Sequence, residues 1–215
     1  GQYVQYSADA NEKVKYLALA SHPDEKELML AGRLSEPGAT VEISAAQGNG
    51  FASNFAETKP YLYVTHGTGI SAIRPAIIER LKQGHRGDTL LYGAREAAVV
   101  PHLDCLSAEA GVSQLRAYSR GSECNYVQQV LETLDISSFG TVLLIGSKEM
   151  MTACRDVLGA RKFSAEKIFS NFNSGSAGKK KCYDHPALFL LSGCCSEGSF
   201  APRGYRRETA AGSCR

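Results

Sequence analysis

The residues best placed to do chemistry lie in one stretch, Tyr61-Leu-Tyr-Val-Thr-His-Gly-Thr-Gly-Ile-Ser71. A β-rich run is punctuated by Gly67-Thr68-Gly69 and followed by an apolar-periodic segment, which predicts a strand, a Gly-x-Gly turn and a helix. Glycines let the backbone turn sharply and approach a pyrophosphate, while the free amides at a helix start attract its charge. An ordinary tight turn uses the same spacing, so the residues alone leave both readings open. Arg120 after Tyr118-Ser119 divides in the same way, between a phosphate contact and a surface charge following a strand. His66 and His102 have no carboxylate or cysteine at a catalytic spacing and read as structural or surface residues. No catalytic residue is singled out.

The elements that must position these residues alternate between strands and helices. Tyr61–Thr65, Thr89–Tyr92, Gln114–Tyr118, Thr141–Ile145 and Lys167–Asn171 are candidate strands, and their alternation with helical patterns predicts a parallel sheet with crossover helices. Ile73, Ile77 and Leu81 form an amphipathic stripe with Arg74 and Glu79 off it, and Pro75 is placed in the first turn of that helix. Met150, Cys154, Val157 and Leu158 form a second stripe, whose methionine pair reads as core. Lys15–Ser21, Glu27–Ala31 and Thr40–Ala45 are shorter extended runs separated by His22-Pro23-Asp24 and Glu36-Pro37-Gly38, as in half of a small antiparallel barrel. The Glu25-Lys26-Glu27 run reads as a solvated turn. The fold class expected is α/β, a five-stranded parallel nucleotide-binding domain over 59–172 preceded by a partial antiparallel β-barrel over 1–58. Residues 173–215 read as a linker and Cys-rich extension, with Ala187–Leu191 as an apolar cluster for docking on another protein surface.

Composition narrows the partners. Twenty-four Lys and Arg against 22 Asp and Glu leave a formal charge of +2, far from the basic excess that nucleic-acid binding leaves in a composition. No apolar run approaches the roughly 20 residues of a membrane-spanning helix. The seven cysteines show no CxxC pair and no metal-type spacing, so no metal site is expected, and Cys105 and Cys154 read as small core residues in a reducing compartment.

Gly67-Thr68-Gly69-Ile70-Ser71 with Arg74 downstream resembles the Gly-Thr-Gly-Ile-Ser-Pro-phenylalanine-arginine pattern of ferredoxin–NADP reductases and their relatives, with Ala72 where proline is usual. Leu91-Tyr92-Gly93-Ala94-Arg95, Tyr118-Ser119-Arg120, Leu144-Ile145-Gly146 with Met150-Met151, and Ile168–Phe172 resemble further family segments in the same order. The resemblance implies that Thr68, Gly69 and Ser71, on the Gly67 turn, hold the pyrophosphate of NADP(H). It places the nicotinamide ribose near Gly146, the 2′-phosphate at Ser119 and Arg120, and the adenine by Tyr126 and Gln128. An arginine fork with a hydroxyl suits a dianionic phosphate. The family's cysteine and proline beside the nicotinamide are Ile145 and Ser147 here.

Gly1–Gln5 and Gln47-Gly48-Asn49-Gly50-Phe51 resemble the strand and the closing turn that flank the family's Arg-x-Tyr-Ser flavin motif, where this chain has Lys15-Tyr16-Leu17-Ala18. Lys15 and Ser21 are the implied FAD contacts, with a point charge in place of a fork and Leu17 in place of the stacking tyrosine. Family barrels carry further strands before the equivalent of Gly1, so the resemblance implies either that such strands precede this stretch of sequence or that the flavin pocket is incomplete. Leu17-Ala18-Leu19-Ala20-Ser21 is similar to a run in a plant and algal plastid subgroup likened to a kiwifruit fruit protein, which implies a chloroplast location. Two activities are expected, electron transfer between NADP(H) and a flavin or a non-catalytic role as an accessory subunit of a larger assembly.

Overall fold

A computed structural model describes residues 1–7, 13–32, 39–51, 55–96, 111–120 and 125–170. Cys105, His102, Asn171 and the whole of 173–215, with its Ala187–Leu191 cluster, lie outside them. Strands β1 (Tyr3–Ser7), β2 (Lys15–Ala18) and β3 (Glu42–Ile43) form an antiparallel sheet in the order β2-β1-β3. Strands β4 (Tyr61–His66), β5 (Thr89–Ala94), β6 (Ser113–Tyr118), β7 (Thr141–Ile145) and β8 (Ile168–Ser170) form a parallel sheet in the order β6-β5-β4-β7-β8. Helices α1 (Ile70–Lys82), α2 (Val127–Thr133) and α3 (Lys148–Ala160) connect the parallel strands. This is the α/β class with a small antiparallel sheet that the sequence predicts. The extended run at Glu27–Ala31 reduces to one bridge, Leu19 to Leu30.

The central strands are buried on both faces, and the covering helices sort by face. Tyr61, Tyr63, Leu90 and Tyr92 pack with Ile70, Ile73 and Ile77 of α1. Leu62, Val64, Leu91 and Leu144 pack on the other face with Leu131 of α2 and with Met150, Cys154 and Leu158 of α3. Burial pushes the Cys154 thiol up to about 12, so it stays protonated and inert. Pro75 lies inside α1 rather than in its first turn, where its missing N–H leaves the Ser71 carbonyl without its helical donor.

At the amino ends of β4 and β5, Arg80 is 1% exposed and Asp88 3% exposed. Arg80 Nε donates to Asp88 Oδ2 at 2.7 Å and Nη2 to Oδ1 at 2.9 Å. Its other bonds run to the carbonyls of Phe55, Glu57 and Lys59, which uses all five N–H donors of a guanidinium. Asp88 also accepts from Tyr61 N and from the Tyr63 hydroxyl, each at 2.9 Å. The guanidinium carbon lies 3.8 Å from the Tyr61 ring centroid, a cation–π contact. Burial first, and the Asp88 charge second, hold the Tyr63 phenol well above its ordinary value.

The antiparallel sheet docks on the α1 side of the parallel one. Ala18, Phe51 and Phe55 pack against the α1 core, and a polar clasp runs down the helix. Arg74, 6% exposed, makes a two-point pair with Glu25 at 2.7 Å per bond and also donates to Ala20 O. Lys82 donates to Asp24 at 2.6 Å. His22 Nδ1 faces the donors Asp24 N and Lys82 Nζ, so its Nε2 carries the hydrogen given to Glu79 at 2.9 Å. The Glu25 run is therefore a docking loop, not a solvated turn. Hydrogen bonds from Arg74, His22 and Lys82 lower the pKa of Glu25, Glu79 and Asp24 respectively.

Asp88→Ala strands a buried guanidinium and is expected to cost about 3–5 kcal/mol. Tyr63→Phe removes one bond to the carboxylate and should cost about 1–3 kcal/mol. Urea denaturation of the two single variants and the double variant measures both. Strict additivity in the double variant would show that the three groups do not act as a unit.

Candidate functional site

Strand order places the site. From β4 the chain moves outward through β5 to β6, then returns across β4 to lay down β7 on its other side. The carboxyl ends of β4 and β7 therefore bound a crevice at a topological switch point, where open α/β sheets bind their ligands. Gly67 follows β4 and Gly146 follows β7, and α1 and α3 both start at this edge.

The glycines here have different causes. Gly67 has φ +53°, and a Cβ on it would meet nothing within 4 Å, so the turn needs glycine for its backbone and faces open space. Gly69, the N-cap of α1, has ordinary helical angles. A Cβ there would strike Thr65 Oγ1 and lie 3.3 Å from Ile145 Cγ2 and O, so this glycine lets α1 pack down on β4 and β7. Gly146 is closed in by the protein itself: a Cβ would strike the Met150 methyl and lie 2.8 Å from His66 Cδ2. The Tyr92 hydroxyl, its pKa raised to about 12 by burial, donates to Gly67 O at 3.0 Å and steadies the turn.

The other implied nucleotide residues share this edge without all facing one space. Thr68 is exposed beside Gly67. Ser71 is buried, and its hydroxyl, like that of Thr65 beneath Gly69, has no partner among the described residues. Ser119 N donates to Ala94 O and Arg120 N to Arg95 O, which ties the end of β6 to that of β5. The exposed Arg120 guanidinium pairs with Glu96 at 3.3 Å. Tyr126 is the exposed N-cap of α2, its backbone N–H bound to Gln129 Oε1 at 2.7 Å, and Gln128 is half-buried in the first turn.

The flavin-type residues are arranged differently from the family pattern. Strand β2 pairs with β1 so that Lys15 faces Tyr6 and Leu17 faces Val4. Tyr6 and Val4 are buried, Leu17 packs with them in the small core, and Lys15 Nζ lies 5.7 Å from the Tyr6 ring. Leu17 thus points into the barrel-type core. The aromatic on the opposite face is Tyr16, 66% exposed, with its ring 5.9 Å from that of Tyr3. Sequence reasoning passed over Tyr16, although period-2 alternation puts it on the face opposite Leu17. Ser21 accepts from Met29 N and serves its own loop. Among the described residues there is no metal-type cluster and no helix long and apolar enough to cross a membrane.

The nucleotide edge fits an anionic ligand on two observations, the open Gly67 turn and the start of α1 beside it, and the buried Thr65 and Ser71 hydroxyls have no partner among the described residues. The Tyr16 and Tyr3 rings are tilted by 60° to each other, so at most one of them, the exposed Tyr16, can lie flat against a planar aromatic ring.

No known protein family matches the chain by sequence, and no curated protein does. Solved structures share its fold. A ferredoxin reductase in carbazole 1,9a-dioxygenase matches with TM-score 0.67 at 15% identity, over 79% of this chain and 59% of that one. A flavohemoglobin from Malassezia yamatoensis with bound FAD and heme matches with TM-score 0.61 at 18% identity, over 79% and 50%. A mutant ferredoxin–NADP+ reductase from Plasmodium falciparum with 2′P-AMP matches with TM-score 0.60 at 13% identity, over 79% and 81%. The chain thus spans between half and three fifths of the length of the first two. The fold is that of ferredoxin-reductase-like proteins.

Gly69→Ala should destabilise by about 1–3 kcal/mol through overpacking against Thr65 and Ile145. Gly67→Ala should cost about 1–2 kcal/mol from its left-handed backbone alone, and Gly67→Asn less, because asparagine tolerates that conformation. Thermal unfolding of the three variants gives the ranking. If Gly67→Asn were as damaging as Gly67→Ala, the cost would lie in a contact rather than in φ.

Proposed function

We propose that this chain is the nucleotide-binding part of a ferredoxin-reductase-like oxidoreductase passing electrons between NADP(H) and a flavin. The observation that carries the reading is the Gly67 turn, open above and opening α1 at the switch point of a parallel sheet. The residues supply binding and orientation; when bound, the nicotinamide supplies a hydride equivalent and the flavin accepts it. The first-turn amides of α1 face the pyrophosphate, and the exposed Thr68 hydroxyl adds a donor. Ala18 packs against the α1 core, and the exposed Tyr16 ring on its strand is available to stack on the flavin ring. Arg74 and Glu25 hold that sheet to α1 and so set the approach of the two sites.

NADP(H) is favoured over NAD(H) because the Arg120 guanidinium is exposed and, among the described residues, pairs with Glu96 alone. An exposed pair of this kind is worth about 0–1 kcal/mol, which a dianionic phosphate displaces by charge-assisted bonds. The plastid affinity and the chloroplast location are proposed on the Leu17–Ser21 run alone. The accessory-subunit alternative rests on Ile145, Leu17, the partial barrel and the tail, and no contact among the described residues favours it.

Arg120→Ala is expected to weaken NADPH about tenfold or more, the worth of a charged hydrogen bond, and to leave NADH nearly unchanged; Glu96→Gln should tighten NADPH. Titration calorimetry on the three proteins decides this, and equal weakening of both nucleotides in Arg120→Ala would make the arginine structural. Tyr16→Ala should weaken flavin about fivefold and Tyr16→Phe should not, since ring stacking contributes about 0.5–1.5 kcal/mol. Flavin fluorescence titration checks this, and equal affinity in all three proteins would remove the stacking role.

A further inference from the structure

His66 ends β4 and stands across the switch point from the turn after β7. Its Nε2 accepts the backbone N–H of Ser147 at 3.0 Å, joining segments 81 residues apart. Ser147 is the N-cap of α3, its hydroxyl accepting from Met150 N, so the bond also fixes where α3 begins. The imidazole lies beside Gly146, and its Cβ sits against Gly93 of β5. β4 and β7 are neighbouring strands paired as far as Thr65 and Ile145, and the His66 side chain carries that contact on to Ser147 while filling the space next to the Gly146 backbone.

We propose that His66 is a gate on the nucleotide site: its bond to Ser147 closes the β4–β7 crevice, and a bound dinucleotide requires that bond to break. The inference rests on the nucleotide reading above and deepens it. The ring takes up the space beside the Gly146 backbone, with His66 Cδ2 2.8 Å from where a Cβ on Gly146 would lie, so a ligand approaching that backbone competes with the ring. The closed gate needs a neutral imidazole, because Nε2 has to present a lone pair to Ser147 N–H. Protonation puts a hydrogen on that nitrogen, sets two donors against each other and releases the ring. The freed imidazolium is also a cation within reach of a pyrophosphate, so both effects favour binding at acid pH. Among the described residues, the ring lies beside Gly146 and Ser147, neither of which is titratable. Lys148 and Glu149 follow on the first turn of α3 and are exposed. Burial lowers the His66 pKa, and no neighbouring charge contributes to the shift. The gate is therefore closed at neutral pH and opens as pH falls through a value below the ordinary imidazole range.

The test is NAD+ affinity for the full chain between pH 8 and pH 5.5, measured by calorimetry. NAD+ serves as probe because it has no 2′-phosphate to titrate in that range. Wild type should tighten about fivefold on acidification, the worth of one hydrogen bond. His66→Gln keeps an acceptor for Ser147 N–H but does not titrate, and its affinity should stay at the weak, closed value throughout. His66→Leu removes the acceptor and should bind at least as well at pH 8 as wild type does at pH 5.5, apart from the charge contribution. A pH slope that survives in His66→Gln, or a flat wild-type profile with measurable binding, overturns the gate. NMR of the nucleotide-free protein provides an independent arm: the Ser147 amide should lose its exchange protection as the His66 ring titrates. Absence of NAD+ binding at every pH would sink the nucleotide reading, and the amide measurement would then decide the His66–Ser147 latch by itself.

Discussion

Arg80 and Asp88 form a buried ion pair in which every donor and acceptor is used, and the arrangement of the site depends on where that pair holds α1. Arg80 sits in the last turns of the helix, Asp88 just before β5, and the remaining bonds of the pair reach Tyr61 N, Tyr63 and the carbonyls of Phe55, Glu57 and Lys59. Isolated charges at this depth carry a desolvation penalty of several kcal/mol each, which only complete hydrogen bonding offsets. The bidentate geometry demands a planar fork, so lysine cannot substitute for it. With its carboxyl-terminal end fixed at the amino edge of the sheet, α1 has one place to begin. That place is the opposite edge, where Gly69 allows it to sit down on Ile145.

The same helix carries the second sheet. Its apolar side faces Tyr61 and Tyr63, while Arg74, Glu79 and Lys82 receive the loop His22 to Glu25. Any platform on β1 and β2 is thus referred to the nucleotide edge through one rigid rod. The clasp has a defined dependence on pH. Its three carboxylates are lowered in the folded state, so their stabilisation is present above the unfolded carboxylate values near about 4. It is lost as pH falls through the lower folded values. The three carboxylates of the clasp therefore remain ionised in neutral and mildly acidic solution.

The parallel sheet was legible because its strands, buried on both faces, read as continuous apolar runs such as Thr141–Ile145 between helical stripes. The docking was not. Arg74 lies off the apolar stripe of α1, and its partner Glu25 is 49 residues away, so no local pattern distinguishes this buried pair from two solvated charges. Asp88 and Arg80 escaped notice for a related reason, since an aspartate before a strand and an arginine late in a helix are ordinary in sequence. In β2 the motif comparison drew attention to Leu17, whereas the pairing with β1 decides which face each side chain takes. A shift of one residue moves every side chain to the other face, and here it is Tyr16 that stands exposed. Pro75 was placed in the first turn because the apolar stripe begins at Ile73; the helix begins earlier, at Ile70.

Glycines that match a sequence motif need not be glycines for the same reason. Gly69 is called for by the packing of α1, Gly93 by Val127 and His66, and Gly146 by the His66 ring more than by Met150, whose flexible end could move aside. A protein with no ligand at all would keep these three for its own close packing. Gly67 is different, because its Cβ would have entered empty space and only its positive φ calls for glycine. Its backbone is held in that conformation by the Tyr92 hydroxyl on its carbonyl, with the first amides of α1 immediately beyond. A constrained turn that leaves open space beside a helix start is what close approach of an anion demands. The proposed nucleotide contact therefore rests on the Gly67 turn, while the other glycines report how tightly the surrounding walls are packed.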